Sequence, residues 1–336
     1  MTEDELTRPD DDDLTRLEEG GLAEAEAEVT EEKQYATPPV EKIIVVTGGA
    51  GFIGSNLVRH LNDKGRENIL IVDDLADPLK LGNINTLRFQ DYCHKDKFIE
   101  LFQFMSENNM VESVYHLGAE SDVGCTDGNY LMANNYQYTC NLMDICYMQK
   151  IPMVYASSAA VYGEQQQEWA KFDSTSDDYT PLSYYALTKL MQDRYSRKFL
   201  SHSESTIIGL RYFNVYSDGE YEKHKGGMKS PHAWMKEQYT KSGTIKLFIG
   251  SEYFSLDFVD VKQAVWMTVN AMSAGKSGVY NIGSEVSSSF LSVAESIVED
   301  PEHIQYIPMP EEMAERYQTF TLADMDNCCF SITTRP

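Results

Sequence analysis

The chain has 336 residues, of which 42% are hydrophobic, and a formal net charge of −25 at pH 7. This is enough apolar material for one large domain or two, and no apolar run approaches the ~20 residues that a membrane span needs. The acidic balance argues against nucleic-acid binding, because a polyanion would be repelled. We expect neither a nucleic-acid nor a membrane partner.

Cysteine spacing and the acidic start of the chain are informative about its setting. The six cysteines form no Cys-x-x-Cys pair and no metal-site spacing with histidine, so we expect no metal and a reducing, cytoplasmic location. No N-terminal apolar segment predicts a secretory signal. The first forty residues carry fourteen acids against Arg8, Arg16 and Lys33. We interpret residues 1–41 as a disordered acidic tail.

The stretch Lys42–Gly54 predicts a dinucleotide site. Ile43–Val46 is a continuous run rich in β-branched residues, which is typical of a buried parallel strand. Gly48, Gly51 and Gly54 follow at a spacing of three. Such glycines suit a tight turn, close approach of the backbone to phosphate, and close packing of a helix on a strand.

The next elements strengthen this interpretation. A helix over residues 55–64 would direct its N-terminal N–H groups and positive dipole end at a diphosphate. A second strand over residues 68–72 leads to Asp73, where an acid can hold ribose hydroxyls. Strand, glycine turn, helix, strand and acid in this order are far more specific than the glycines alone.

Strands and helices continue to alternate beyond Asp73, which predicts an α/β fold with a Rossmann-type doubly wound parallel sheet and a smaller C-terminal substrate-binding lobe. The expected elements are strands over 113–116, 153–157, 206–213, 256–261 and 278–282 and a long helix over 130–150. We assign residues 42–214, with a returning segment 255–283, to the dinucleotide-binding domain. Residues 215–254 and 284–324 are assigned to the lobe, and 325–336 to a short tail.

A candidate catalytic group follows the predicted strand that ends at Ser157. Ser158 comes next, and a helix beginning near Ser183 carries Tyr185 and Lys189, which share a face because they are four residues apart. A lysine ammonium favours the phenolate of a neighbouring tyrosine, which can then take a proton from an alcohol while hydride leaves. The spacing alone is uninformative, since Tyr221 and Lys225 repeat it; the position after a strand-end serine singles out the first pair.

Several motifs together resemble the extended short-chain dehydrogenase/reductase family, and within it the ADP-glycero-manno-heptose 6-epimerases. The glycine motif identifies only the superfamily, whereas His-Lys-Gly and Arg-Tyr-Gln are the specific signals. The matching stretches are Val46–Asn56, Asn134–Tyr138, Tyr155–Gly163, Arg211–Tyr216, His224–Gly226 with Met228, and Arg316–Ala323. The resemblance runs from about Lys42 to Asp324.

The resemblance implies epimerisation of a nucleotide-activated sugar. Hydride would leave C6 of the heptose, the transient ketone would turn within the site, and hydride would return to its other face. Tyr185 and Lys225 match opposed acid/base groups, and Lys189 serves the tyrosine and the cofactor ribose. With Ser158, these are the predicted catalytic residues.

Motif and resemblance together define two further sets of site residues. The residues assigned to the cofactor are Gly48, Gly51, Phe52, Ile53, Gly54, Asp73, Asp74, Lys80, Lys95, Leu117, Gly118, Ala119, Ser121, Asn134, Tyr185, Lys189 and Val215. Those assigned to the substrate are Ser158, Asn214, Gly227, Phe248, Gly250, Ser251 and Tyr317. For Phe248 and Ser251, ordinary packing is an equal alternative.

The chemistry leaves the choice of cofactor open. Asp73 and Asp74 would repel a 2′-phosphate and favour NAD. The resemblance implies NADP, held partly by lysines that match Lys80 and Lys95. We predict NADP, with NAD as the alternative. The expected partner is a nucleotide-sugar substrate, and we expect a homo-oligomer.

Departures from the family pattern keep other functions open. Leu256 stands where the resemblance implies an arginine that contacts the nucleotide, and leucine cannot donate a hydrogen bond. One alternative is another extended sugar-nucleotide enzyme, such as a hexose 4-epimerase. Another is a catalytically impaired dinucleotide-binding protein, although Ser158, Tyr185 and Lys189 are all present. A dehydratase fits less well, because no acidic pair follows Ser158.

Deletion of residues 1–39 is expected to leave cofactor binding and the melting temperature nearly unchanged, because so polar a segment buries little area. Differential scanning fluorimetry of the truncated and full chains, with and without NADP, measures both quantities. A large fall in melting temperature would contradict the interpretation of the tail.

Overall fold

The β-branched runs become the inner strands of a parallel sheet. The computed structural model describes residues 41–164, 175, 178–200, 205–217, 230–311 and 318–330; residues 1–40 of the predicted acidic tail and residues 331–336 lie outside them. The strands are β1 Ile43–Thr47, β2 Ile69–Asp73, β3 Asp91–His94, β4 Val111–His116, β5 Met153–Ser158, β6 Ile207–Tyr212, β7 Asn214–Tyr216, β8 Ile245–Phe248, β9 Ser255–Asp260, β10 Gly278–Ile282, β11 Ser287–Ser289 and β12 Ile304–Ile307.

Helices connect most of these strands. They are α1 Phe52–Asp63, α2 Leu81–Ile84, α3 Lys95–Glu107, α4 Gly128–Leu131, α5 Tyr138–Met148, α6 Tyr184–Ser196, α7 Pro231–Ser242, α8 Val261–Ala274 and α9 Phe290–Ile297. Short 3₁₀ turns occur as well, including Ala159–Tyr162 directly after β5. No helix in the described part of the chain is long and apolar enough to cross a membrane.

The central sheet has seven parallel strands in the order β10-β6-β5-β4-β1-β2-β3. The strand order reverses between β1 and β4, and ligands of such sheets bind outside the carboxyl ends of the strands at this point. The prediction of a Rossmann-type doubly wound α/β fold is thus confirmed.

Alternation along β1 fills both faces of the sheet. Ile44 and Val46 belong to an apolar cluster that includes α1 and α8, whereas Ile43 and Val45 belong to one that includes α3 and α5. Successive side chains of a strand point to opposite faces, so a run without polar residues is what a sheet covered on both sides requires.

Two smaller sheets lie in the chain after β6. One has the order β11-β9-β7 and the other pairs β12 with β8. A third apolar cluster, which includes Met235, Leu247 and Phe290, packs around them. Strand β10 returns to the central sheet, whereas β9 joins the three-stranded one. The exact division into a cofactor domain and a substrate lobe stays a prediction.

The long helical stretch predicted over residues 130–150 contains a special turn. Helical residues follow one another without a gap from α4 to the end of α5, but the turn Met132–Gln137 between them has π-helical geometry. This wider turn places Asn135, which is fully buried, against the segment after β4. Single π-helical turns occur frequently at functional sites.

Helix α3 offers a test of the core. Phe102→Ala is expected to lower the free energy of unfolding by ~3–5 kcal/mol, because it empties a fully buried position. Phe104→Ala, two residues along at a position that is 58% exposed, is the matched control and should change it by less than about 0.5 kcal/mol. Urea denaturation followed by circular dichroism measures both. Equal losses of unfolding free energy in the two variants would contradict the packing of the Phe102 face of α3 against the sheet.

Candidate active site and cofactor cleft

The glycine turn after β1 packs directly against the end of β4. Gly48 has φ +67°, and a Cβ there would lie 2.7 Å from the backbone nitrogen of Gly118. A Cβ on Gly54 would lie 2.1 Å from the Gly48 carbonyl oxygen. Both distances are too short for any side chain, so the predicted roles of these glycines in a tight turn and in close packing are physically required here.

The N-terminus of α1 faces this turn. Its N-cap, Gly51, has extended backbone geometry and no side-chain cap, and the first α-helical bond joins Ser55 N–H to the Gly51 carbonyl at 3.0 Å. The N–H groups of Phe52 and Ile53 therefore have no intrahelical acceptor. With the positive end of the helix dipole, they form a cradle that fits the diphosphate of a dinucleotide.

Asp73, at the end of β2, is tied to this loop and to the first predicted lysine. Its carboxylate accepts hydrogen bonds from Ala50 N–H at 2.8 Å, Asp74 N–H at 2.7 Å and Lys80 Nζ at 2.7 Å. Lys80 also donates to the Asp74 carbonyl at 2.7 Å. The structure thus brings a positive charge against the acid that would otherwise repel a 2′-phosphate.

The second predicted lysine lies on the same side of the cleft. Lys95 Nζ donates to Asn134 Oδ1 at 2.8 Å, which joins two residues assigned to the cofactor. The pKa of Asp74 is lowered, first by the hydrogen bond from Ala76 N–H and then by the charges of His94, Lys80 and Lys95. Both lysines therefore act on the Asp74 carboxylate.

Residues after β4 line the cleft opposite the glycine turn. Leu117 N–H donates to the Thr47 carbonyl at 3.0 Å, and Gly118 N–H donates to Thr47 Oγ1 at 3.1 Å. Ala119 and Ser121 follow as half-buried residues. Asn135 from the π-helical turn bonds reciprocally with the backbone of Glu120, at 2.9 Å in each direction, and this fixes the segment.

His116 is a polar residue of the cleft that sequence analysis missed. Its ring bridges Thr47 Oγ1 at 2.6 Å and Thr139 Oγ1 at 2.8 Å. Burial, assisted by the charge of Lys189, lowers its pKa to about 3, so the ring is neutral. Because Thr139 gives its own proton to the Asn135 carbonyl, His116 Nε2 must donate to Thr139, and Nδ1 must accept from Thr47. A polar residue at the end of an apolar strand was the available signal.

The predicted catalytic group is assembled at the end of β5. Helix α6 begins after its cap Ser183, whose Oγ accepts from Ala186 N–H at 3.2 Å, and it brings Tyr185 into a hydrogen bond with Ser158. Lys189 Nζ donates to the Ala156 carbonyl at 2.6 Å and lies 5.8 Å from the centre of the Tyr185 ring. Tyr185 and Lys189 are both buried.

Burial dominates the electrostatics of this group. It raises the pKa of Tyr185, while the hydrogen bond with Ser158 opposes the rise. Burial also lowers the pKa of Lys189 to about 8, and the charge of Asp193 opposes that change. The lowered tyrosine pKa expected from sequence is therefore not a property of the protein alone, because desolvation of the phenolate outweighs the hydrogen bond with Ser158, and the charge of Glu120 raises the pKa as well.

The residues predicted to face the substrate are partly described. Asn214 Nδ2 donates to the Asp257 carbonyl at 3.3 Å, and Val215, predicted for the cofactor, is buried. Phe248 ends β8, and Gly250 follows with φ +91°. Ser251 is fully buried, and its hydroxyl has no hydrogen-bond partner among the described residues. Lys225, Gly227 and Tyr317 lie outside the described residues.

Leu256 does not face a polar site. It is 5% exposed and packs in the third apolar cluster with Met235 and Phe290. Its neighbour Asp257 points the other way, where its carboxylate accepts from the N–H groups of Ser284, Glu285 and Ala323 at 2.7, 3.0 and 3.1 Å. This strand position therefore contributes apolar packing where the resemblance implied a cation.

Comparison with known proteins identifies the family of the chain. Residues 44–283 match the NAD dependent epimerase/dehydratase family. Among solved structures, the chain is 28% identical to the ADP-L-glycero-D-manno-heptose-6-epimerase of Helicobacter pylori, over 85% of this chain and 88% of that one, with a TM-score of 0.70. It is 26% identical to a Bacillus cereus UDP-glucuronic acid 4-epimerase in complex with UDP-glucuronic acid and NAD, over 87% and 94%, with a TM-score of 0.69.

A third structure matches in fold. The UDP-N-acetylglucosamine 4-epimerase of Methanobrevibacter ruminantium M1, in complex with UDP-N-acetylmuramic acid, gives a TM-score of 0.74 at 23% identity, over 88% of this chain and 93% of that one. The family match spans well over half of the chain and includes the glycine turn, Ser158, Tyr185 and Lys189. The chain therefore belongs to the NAD dependent epimerase/dehydratase family.

Proposed function

We propose that the protein is an epimerase of a nucleotide-activated sugar, and that its substrate is an ADP-glycero-manno-heptose, inverted at C6. The observation that carries this proposal is the placement of Ser158, Tyr185 and Lys189 together at the end of β5. The likeness to the H. pylori heptose epimerase supports the choice of sugar. So does the sequence His224-Lys225-Gly226.

The residues present fit a nicotinamide dinucleotide. The glycine cradle and the N-terminus of α1 would hold its diphosphate, and Asp73, Lys80 and Lys95 would surround the adenosine ribose. When bound, the cofactor supplies acceptance and return of a hydride at one sugar carbon. The proton on the sugar oxygen must be removed and returned by side chains of the protein.

Tyr185 handles the proton on one face of the sugar. Because burial raises its pKa, its resting form is the phenol, which can donate to a carbonyl oxygen. The hydrogen bond with Ser158 and the nearby ammonium of Lys189 favour the phenolate when the proton has left. A single fixed side chain reaches one face only, so epimerisation needs a second acid/base group. We assign that role to Lys225.

A specific observation favours a second candidate function. Leu256 is buried in an apolar cluster, so the nucleotide contact implied for this position in heptose epimerases is lost. A hexose 4-epimerase acting on a different sugar nucleotide keeps the same redox chemistry and is the alternative. The likeness of this chain to the B. cereus UDP-glucuronic acid 4-epimerase supports this alternative. The remaining alternative is a protein that binds a dinucleotide but turns over no substrate.

We further propose NADP over NAD. Lys80 neutralises Asp73 in a contact of 2.7 Å, and Lys95 lies on the same side of the cleft. The acid that would repel a 2′-phosphate is thereby masked, while its three hydrogen bonds leave it less able to accept from a 2′-hydroxyl. A homo-oligomer and a cytoplasmic location stay predictions.

Tyr185→Phe and Lys225→Met should each reduce epimerisation of the ADP-heptose by about 10²–10⁴, the usual cost of losing a general acid or base. Each should retain one-sided redox chemistry on an aldehyde analogue of the substrate, on the face that the remaining group serves. Coupled chromatographic assays measure both reactions, and bound cofactor is quantified after denaturation.

Two neighbouring residues provide controls for these variants. Tyr184→Phe changes a tyrosine on α6 that is 53% exposed, and Lys223→Met changes a lysine two residues before Lys225. Both should keep the parent rate. Near-parent epimerisation by Lys225→Met would refute the two-base mechanism. Turnover of a UDP-hexose in place of the ADP-heptose would select the alternative substrate.

Lys80→Ala should weaken NADP binding by ~10- to 100-fold, the worth of one hydrogen bond between charged groups. It should weaken NAD binding far less, because NAD lacks the 2′-phosphate. Isothermal titration calorimetry with both cofactors measures this, and Lys241→Ala, which removes a surface lysine paired with Glu237, is the control. Equal losses for both cofactors, or tighter NAD binding by the parent, would contradict the NADP assignment.

A further inference from the structure

A buried ion pair lies directly behind the catalytic helix. Asp193 on α6 and Arg211 on β6 are both completely buried, and Arg211 Nε donates to Asp193 Oδ2 at 2.8 Å. The same carboxylate accepts from Tyr155 OH at 3.0 Å and from Ser157 Oγ at 2.9 Å. Three hydrogen bonds from two strands thus converge on one side chain of α6.

These partners connect α6 to the strand that presents Ser158. Tyr155 and Ser157 lie on β5, immediately before Ser158, and Asp193 lies one helical turn after Lys189. The fold makes room for the contact, because Gly209 faces Tyr155 in the sheet register and a Cβ there would lie 2.3 Å from the Tyr155 hydroxyl. The carboxylate therefore joins the helix that carries Tyr185 and Lys189 to the strand that leads to Ser158.

Arg211 is held in turn by the loop after Ser158. Its guanidinium carbon lies 5.0 Å from the centre of the Tyr162 ring and 5.7 Å from that of Tyr179. The Tyr162 hydroxyl donates to Asn281 Oδ1 at 2.6 Å. A planar guanidinium between rings has little freedom, so the carboxylate that it meets is fixed as well.

The charge of Asp193 also acts on Lys189. Burial lowers the pKa of Lys189 to about 8, and Asp193 opposes this. Several charged or titratable groups surround the two side chains. They are His116 from β4, Tyr155 from β5, Arg211 from β6, Tyr162 and Tyr179 from the following loops, Tyr185 on α6, and Glu120, which acts on Tyr185. Asp193 is the group whose charge raises the pKa of Lys189.

We propose that Asp193 is a positioning residue for the catalytic helix: it fixes α6 on β5 and β6 and supplies the negative charge that balances Lys189. The catalytic part of this inference rests on the proposed function. The electrostatic part does not, because it concerns a buried lysine in the protein alone.

The stability of the cofactor-free protein tests the electrostatic part. Lys189 has a lower pKa folded than unfolded, so between about pH 8 and 10.5 the unfolded chain binds more protons and stability rises with pH. Asp193→Asn keeps the shape and removes the charge, so this rise should begin about one pH unit lower. Lys189→Met should abolish this rise in stability with pH, both in the parent chain and in the Asp193→Asn variant.

Matched variants separate charge from structure. Asp144→Asn removes a surface carboxylate that accepts from Tyr195 OH at 2.8 Å, and it should keep the parent pH dependence. Tyr155→Phe removes one hydrogen bond to Asp193 but leaves the charge, so it should lower the unfolding midpoint without moving the pH dependence. If Asp193→Asn does not fold, Asp193→Asn combined with Arg211→Met removes both charges of the pair and should still show the earlier rise.

The outcomes of the denaturation series decide the inference. The inference is supported if stability begins to rise at a lower pH in the Asp193 variants than in the parent, and if Asp144→Asn and Tyr155→Phe do not show this shift. A parent-like pH dependence in the Asp193 variants overturns it, as does an equal shift in Tyr155→Phe, since the effect would then be structural.

Turnover provides the second readout. With the ADP-heptose, Asp193→Asn should lower kcat by ~10-fold or more and move the alkaline limb of its pH profile to lower pH, with KM changed by less than about threefold. A loss confined to KM would overturn the positioning role. If the parent turns over no sugar nucleotide, the proposed function fails, and the denaturation series still decides the electrostatic inference.

Discussion

The close approach of two backbones, at Gly48 and Gly118, is the constraint on which the rest of the site depends. It occurs where the strand order reverses, so the chain leaves β1 and β4 toward opposite faces of the sheet and a crevice forms between the two loops. Thr47 and His116 lock the junction with neutral hydrogen bonds. The N-terminus of α1 is thereby held at a fixed place over the ends of the strands, as a rigid anion cradle must be.

Behind this cleft, the protein places charge where water cannot reach it. A buried lysine is stable only if its ammonium finds acceptors and a balancing charge. The Ala156 carbonyl is a hydrogen-bond acceptor for Lys189, and Asp193 provides the balancing negative charge. The neutral His116 adds no positive charge. Burial therefore brings the lysine pKa to about 8, close to the range in which a proton can be exchanged at small cost.

Local patterns were sufficient for much of this architecture. The strand β1, the glycine turn, Asp73 and the start of α6 near Ser183 follow from residue type and spacing, because neighbours in sequence create their geometry. Contacts between distant segments were not predictable in this way. The bridge made by His116, the π-helical turn and the convergence on Asp193 each join segments from different parts of the chain. For the same reason, the pKa of Tyr185 was expected in the wrong direction, since its burial depends on packing.

Apart from Ser158, the described residues assigned to the substrate lie on elements outside the central sheet. On β9, Leu256 packs in the third apolar cluster and Asp257 holds the backbone of Ser284 and Ala323, so this strand contributes packing and backbone contacts instead of presenting a cation. Recognition of a nucleotide sugar must then rely more on other segments. Within the described chain, the turn after β8 is the clearest of these, because a buried hydroxyl without a partner, such as that of Ser251, costs free energy unless a ligand or water satisfies it. Ser251 therefore lies on a turn after β8, whereas Ser158, Tyr185 and Lys189 are positioned by β5 and α6, so the two sets of residues are held by different elements of the fold.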